Sequence, residues 1–257
     1  MEIPSAKRGK TWTRDETILA LGLYFQIPYG KIHSRNQVII RYAERLGRTP
    51  AALSMKMGNI GRFDPQLAER GIVGLGNGGQ MDQQVWNEFK DRPEWLASEF
   101  QRVLLKFAES GPVDAGLSFP LHANKVEERL RINQEFFRAS VLSAYNNTCC
   151  ITGMSEPQLL VAGHIKPLSK CVNDVERMDV QNGICLDALH SSAFERGLIT
   201  IDLQYRVRLS STLKEHLTTA IFNDYFKRYE NMIIHLPRRA RPAVEFLSYH
   251  NENVFVA

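Results

Sequence analysis

The chain has 257 residues, a formal net charge of +4 and 44% hydrophobic residues, the composition of a globular protein with one large core or two small ones. No apolar run approaches the roughly 20 residues that span a bilayer, and the opening stretch MEIPSAKRGKTW has no apolar segment, so neither a membrane role nor a secretory leader is expected. Cationic charge gathers at the front. Lys7, Arg8, Lys10, Arg14, Lys31, Arg35, Arg41, Arg45, Arg48, Lys56, Arg62 and Arg70 face only six acids in the first 70 residues, and residues 71–124 are acidic. A solvated basic face and a nucleic-acid footprint both fit that distribution.

The N-terminal part reads as helical. In TWTRDETILALGLYFQ, Thr13 is a candidate N-cap with Glu16 three residues later, a capping-box pattern. In SRNQVIIRYAERLG, Ser34 is the candidate cap, Val38, Ile39, Tyr42, Ala43 and Leu46 are the inward positions, and Gly47 is the stop. RTPAALSMKMGNIGRF opens a third helix with Thr49 as N-cap and Pro50 at its first position. Helix, glycine turn and capped helix is the form of a helix-turn-helix. GIVGLGNGGQ (71–80) and GPVDAGLSFPLHA (111–123) read as connections, with two helices, MDQQVWNEFKD and PEWLASEFQRVLLKFAES, between them. The expected division is a helical domain over 1–70, a helical linker region over 71–123 and a further domain over 124–257.

That last segment begins with an amphipathic helix, KVEERLRINQEFFRASVLSAY, with Leu130, Phe137, Val141 and Leu142 inward. The period then changes. NTCCITG and QLLVAGHI read as two short strands, VQNGICLDALHSSAFERG as an Asn182-Gly183 turn entering a helix, and GLITIDLQYRVRLS as a terminal β-hairpin. Two strands, a loop and a helix make a compact ββα unit. Cys149, Cys150, Cys171 and Cys185 form no C-x-x-C pair, so buried free thiols in a reduced, cytosolic protein are expected.

His164 at a strand end, Asn182 in a turn and His190 on a helix stand 18 and 8 residues apart. Around them are Gln134, Phe137 and Arg138, then Cys150 with Thr152-Gly153, Ile165 and Pro167 after His164, and Phe194, Glu195 and Gly197-Leu198-Ile199 after His190. In this order the pieces resemble the HNH, or ββα-metal, nuclease family, over about residues 125–257. The resemblance implies an α+β protein, with a helix-turn-helix-like N-terminal domain followed by a ββα-metal nuclease domain. It implies a metal-dependent endonuclease acting on double-stranded DNA, of restriction type. His164 would be the general base, and Asn182 would shape the loop that aligns it. His190 would be a metal ligand. Many family members carry Asp or His before the base, where this chain has Gly163, so Glu195, with Asp187 behind it, is the candidate second ligand.

Mg²⁺ or Mn²⁺ is the implied ion. A structural zinc is not implied, because Thr152-Gly153 and Leu189 stand where knuckle cysteines would be, and apolar packing is expected in its place. Lys166 and Arg196 are candidate phosphate contacts, and Arg48, Thr49, Ser54, Lys56 and Asn59 are candidate DNA readers on the third helix. A homodimer would supply one site per strand of the duplex. A DNA-binding regulator or an interaction module with an inactive nuclease domain is the alternative.

Overall fold

The computed structural model describes residues 10–69, 71–72, 79–108, 125–215 and 219–256. Both expected connections fall largely outside these residues. The chain divides into two compact units, Met1–Phe136 and Phe137–Ala257, the first helical and the second mixed, so the fold is α+β.

In the first unit, α1 (Arg14–Gln26) starts on the capping box anticipated from sequence: Thr13 Oγ1 accepts from the Glu16 N–H at 3.2 Å and Glu16 Oε2 accepts from the Thr13 N–H at 2.9 Å. The helix is covered on all sides from Glu16 to Tyr24, which makes it the axis of the bundle. α2 (Gln37–Leu46) is capped by Asn36, whose Oδ1 accepts from the Val38 N–H, rather than by Ser34. Val38 lies on the exposed side, and Ile39, Ala43 and Leu46 face the core. Gly47 closes α2 in the left-handed conformation, and α3 (Pro50–Gly61) follows with Thr49 as cap. The short α4 (Pro65–Ala68) is capped by Asp64, which also accepts from the buried Tyr24 hydroxyl at 2.7 Å.

α5 (Gln80–Phe89) and α6 (Pro93–Ala108), expected in a linker region, both pack on α1. Gly22 lets α1 meet the Phe100 ring, and Trp86 packs edge-on against Tyr24 and stacks on Phe25. Their buried positions Val85, Trp86, Phe89, Leu96, Phe100 and Val103 belong to this unit's core. Among the described residues no helix is long and apolar enough to cross a membrane.

α7 (Lys125–Ala144) carries the division between the units, between Phe136 and Phe137. Leu130 is exposed there rather than inward. The segment 147–153, expected as a strand, is a turn. Asn146 and Asn147 take positive φ, Gly153 has φ +76°, and the Thr152 N–H is donated to Cys149 Sγ at 3.4 Å, which breaks any extended run. The sheet instead pairs β1 (Leu160–His164) with β2 (Gly183–Asp187) antiparallel, Leu160 opposite Asp187 and His164 opposite Gly183. α8 (Asp174–Met178) lies in the long connection between them, and α9 (Ala188–Glu195) folds back over both strands.

A second hairpin, β3 (Ile199–Ile201) and β4 (Val207–Leu209), matches the expected one but is not terminal. It is followed by α10 (Ser211–Glu215), α11 (Ala220–Tyr225) and α12 (Val244–Asn253). α12 is pinned to β3 through buried His250, which stacks on Phe194 and holds Thr200 Oγ1 at 2.8 Å. Burial pushes its imidazole down to about 4.

Gly197 ends α9 with φ +68°, and a Cβ there would sit 2.0 Å from the Val254 carbonyl oxygen. Gly163 differs: a Cβ on it meets nothing closer than Ile184 Cγ2 at 3.5 Å. Gly197→Ala should therefore lower the unfolding free energy by at least about 2 kcal/mol, while Gly163→Ala should stay within about 1 kcal/mol of the parent. Urea denaturation of the two variants tests the pair.

Candidate functional site

The connection from β1 to β2 is organised by one side chain. Asn182 is fully buried. Its Oδ1 accepts from the Lys166 N–H at 2.7 Å, and its Nδ2 donates to the carbonyls of Lys166 at 3.3 Å and Glu176 at 3.2 Å. Its own carbonyl accepts from the Ile165 N–H at 2.8 Å. The amide thus ties Lys166, two residues past the strand, to the helix ten residues on. The Glu176 carboxylate adds a second tie, accepting from Lys166 Nζ at 2.7 Å and the Val172 N–H at 3.0 Å. The pair raises the lysine and lowers the glutamate, each chiefly through their shared hydrogen bond.

This frame sets the His164 ring. It lies flat on Phe137, with centroids 4.1 Å apart and planes 8° from parallel. Its Nε2 faces the Arg177 carbonyl at 2.9 Å. A carbonyl only accepts, so Nε2 carries the hydrogen and Nδ1 keeps the lone pair. Among the described residues no hydrogen-bond partner engages Nδ1. Burial of the ring lowers its pKa below the ordinary histidine value. The result is a neutral imidazole with a fixed tautomer and a free basic nitrogen. The stacking of Phe137 and the Arg177 carbonyl are parts that residue spacing did not reveal: a ring's partner and a main-chain oxygen leave no signal in the sequence.

Asp187 and His190 form a separate cluster. Asp187 caps α9, its Oδ1 accepting from the Leu189 and His190 N–H groups. His190 Nδ1 donates to the same carboxylate at 2.9 Å, Thr152 Oγ1 at 3.0 Å, and Cys149 Sγ donates at 3.3 Å. Desolvation opposes this charge, but the His190 and Thr152 donors prevail and hold the carboxyl well below the usual range. His190 Nε2 reaches the Tyr225 carbonyl at 2.8 Å. Both ring nitrogens therefore face acceptors, and binding a cation would require one bond to be surrendered. Asp187 lies four register steps along the sheet from the pair that holds His164, roughly 13 Å.

Glu195 is elsewhere again. Its Oε1 accepts from Ser191 Oγ at 3.1 Å, and that hydroxyl lies 3.8 Å from where a Cβ on Gly163 would stand. Ser191 and Glu195 share a helix face one turn apart, and the Ser191 hydroxyl is the one of the two that lies beside Gly163, the residue that precedes His164. Arg196, exposed, bonds Ser192, and Lys166 is committed to Glu176.

These positions test the implied metal. Asp187, His190 and Glu195 do not converge, and among the described residues no group of three His, Cys, Asp or Glu side chains is arranged to hold an ion. Asp187 and His190 do not fit that role, because their polar atoms are already spent on each other and on α9, the Cys149 turn and α11. Glu195 fits only the mode in which a carboxylate contributes one ligand and water and substrate phosphate supply the rest. The apolar packing expected in place of a zinc knuckle is likewise a polar network of Cys149, Thr152, Asp187 and His190. All four cysteines are buried and free.

In the first unit the candidate readers of α3 scatter. Thr49 caps the helix and Ser54 Oγ turns back to the Ala51 carbonyl. Arg48 is buried, bound to Glu16 at 2.8 Å and to the carbonyls of Lys10 and Thr11, and lies over Trp12. Lys56 is buried against Asp82 and the same indole. Asn59 Oδ1 is buried. Arg48 and Lys56 are therefore buried in this unit's core, each paired with a carboxylate. The signal was present: Lys56 falls in register with Leu53, Met57 and Ile60, the buried stripe of α3.

Residues 149–202 match the family model described as HNH endonuclease. The match spans β1, β2 and α9, so the second unit carries an HNH endonuclease domain. No curated protein matches the chain.

Lys56→Ala should cost about 3–5 kcal/mol by stranding Asp82 in the core, read by chemical denaturation. His190→Gln should cost about 3 kcal/mol on the same ground and leave Mn²⁺ affinity unchanged in calorimetric titration. Lost Mn²⁺ binding with unchanged stability would return His190 to a ligand role.

Proposed function

We propose that this chain, whose residues 149–202 form an HNH endonuclease domain, hydrolyses phosphodiester bonds of double-stranded DNA as a restriction-type endonuclease. The observation that carries the reading is the His164 ring: neutral, stacked on Phe137, with Nε2 donated to the Arg177 carbonyl and Nδ1 open. A general base needs a lone pair aimed outward and a pKa at or below the working pH.

In this mechanism His164 Nδ1 takes a proton from the water that attacks phosphorus, and the P–O3′ bond breaks as the new P–O bond forms. Asn182 acts through position. By fixing Ile165, Lys166 and Glu176 it stops the loop from carrying the Arg177 carbonyl away from Nε2, which would release the tautomer. Arg196, exposed beside Glu195, is a phosphate contact of the right chemistry. Lys166 serves instead to hold Glu176, and through it the loop. A Mg²⁺ or Mn²⁺ ion on Glu195 would neutralise phosphate charge and favour departure of the 3′ oxygen. Ser191, hydrogen-bonded to Glu195, orients that carboxylate. A homodimer would place one such site on each strand, and four buried free thiols suit a reducing cytoplasm.

His164→Ala should abolish plasmid nicking with Mg²⁺ or Mn²⁺ and leave DNA binding intact. Because the histidine's pKa is depressed, the base stays unprotonated until pH falls below about 6.5, so the acid limb of the rate profile should lie under that value. An intact plasmid across a panel of divalent metals and of modified and unmodified substrates would instead favour the inactive-domain alternative.

A further inference from the structure

Two sets of charged side chains in the first unit contrast. Where α1, α5 and α6 meet, the cations are matched: Arg14 pairs with Glu88 and Glu99, Arg102 with Asp15 and Glu99, and Lys106 with Asp15. Around α2 they are not. Lys31, Arg35, Arg41 and Arg45 have no carboxylate partner among the described residues. Arg41 and Arg45 stand one turn apart, on the side of α2 opposite buried Ile39, Ala43 and Leu46. Arg45 lies over the Tyr42 ring at 5.8 Å. Arg35 is exposed in the turn that Asn36 joins to the helix, and Asn36 Nδ2 ties that turn to the Lys31 carbonyl at 2.9 Å. The acid of α2, Glu44, pairs with neither arginine. α3 offers nothing comparable, since its single charged residue, Lys56, is buried.

We propose that the unpaired cations of α2 and of the turn before it, Arg41 and Arg45 with Arg35 and Lys31, are where the first unit holds the phosphates of double-stranded DNA. The inference rests on the DNA-cleaving function proposed above. Unpaired arginines on a helix backed by core are solvated forks that meet phosphate without first breaking an ion pair. A face that carries charge but little shape for base edges fixes position on the duplex rather than sequence. In this arrangement the first unit supplies a salt-sensitive grip, and α3 does not read guanine through Arg48 or phosphate through Lys56, because both are consumed in the core.

The test uses the full-length His164→Ala protein without divalent ions, so that DNA is not cut. Binding to a fluorescein-labelled duplex is read by anisotropy over a range of salt concentrations. Arg35→Ala, Arg41→Ala and Arg45→Ala combined should weaken binding at least about tenfold and reduce the slope of log K against log salt by about 0.9 for each phosphate that is no longer neutralised. The same three positions changed to lysine should keep most of the slope, and Arg102→Ala, on the matched face, should leave it unchanged. A slope unaltered in the triple alanine variant, with the parent still binding DNA, overturns the proposal, as would an acidic protein retained by the parent alone while DNA affinity stays equal. Plasmid cleavage by the unmodified protein separately reports on the nuclease reading: cleavage with an unaltered slope sinks the α2 face only, whereas a parent that neither binds nor cuts DNA sinks both.

Discussion

The second unit depends on one buried amide. Asn182 is the residue whose side chain satisfies main-chain groups at both ends of the β1–β2 connection. Without it, an N–H and two carbonyls of a partly buried loop would lose their partner, and each such group costs about 1–3 kcal/mol where water cannot replace the bond. With it, an irregular segment becomes as well defined as the sheet beside it. The orientation of His164 follows from this, because the carbonyl that fixes its tautomer belongs to the residue directly after Glu176, one of the amide's acceptors. The ring is thus positioned by packing below, from Phe137, and by a main-chain dipole at its edge.

A second polar cluster does comparable work at the other end of the sheet. Asp187 gathers five donors from the start of α9, the His190 ring and the 149–152 turn. A buried carboxylate is tolerable only when it is this fully satisfied. His190 carries the network on to the Tyr225 carbonyl, so one Asp–His couple fastens a turn, a helix N-terminus and α11. The two histidines of the sequence signature therefore play different parts: one keeps a nitrogen open, and the other keeps none.

The first unit shows the same divergence among cations. Trp12 is flanked by Arg48 and Lys56, each of which is neutralised by a buried carboxylate. Such pairs add little net stability over an apolar core, but they fix which side chains lie inside. The arginines of α2 stay outside. Two cationic sets that look alike in the sequence have opposite fates because α3 turns its lysine onto the stripe that contacts its neighbours, while α2 turns its arginines away.

Much of this was legible in the residues alone. Capping box, glycine stop and Thr-Pro start are local chemistry, and α1, α2 and α3 formed where those signals stood, with the cap of α2 shifted two residues to Asn36. The order of His164, Asn182 and His190 pointed to the family of the second unit, since spacing and residue type travel together in the chain. The pairing of β1 with β2, rather than with the turn at 147–153, was not legible, because a short apolar run carries no information about its partner. The same holds for the roles of Asp187, His190, Arg48 and Lys56. A titratable side chain declares its chemistry in the sequence, but whether it meets solvent, substrate or a buried counter-charge is set by the elements packed around it, and only the folded chain brings those together.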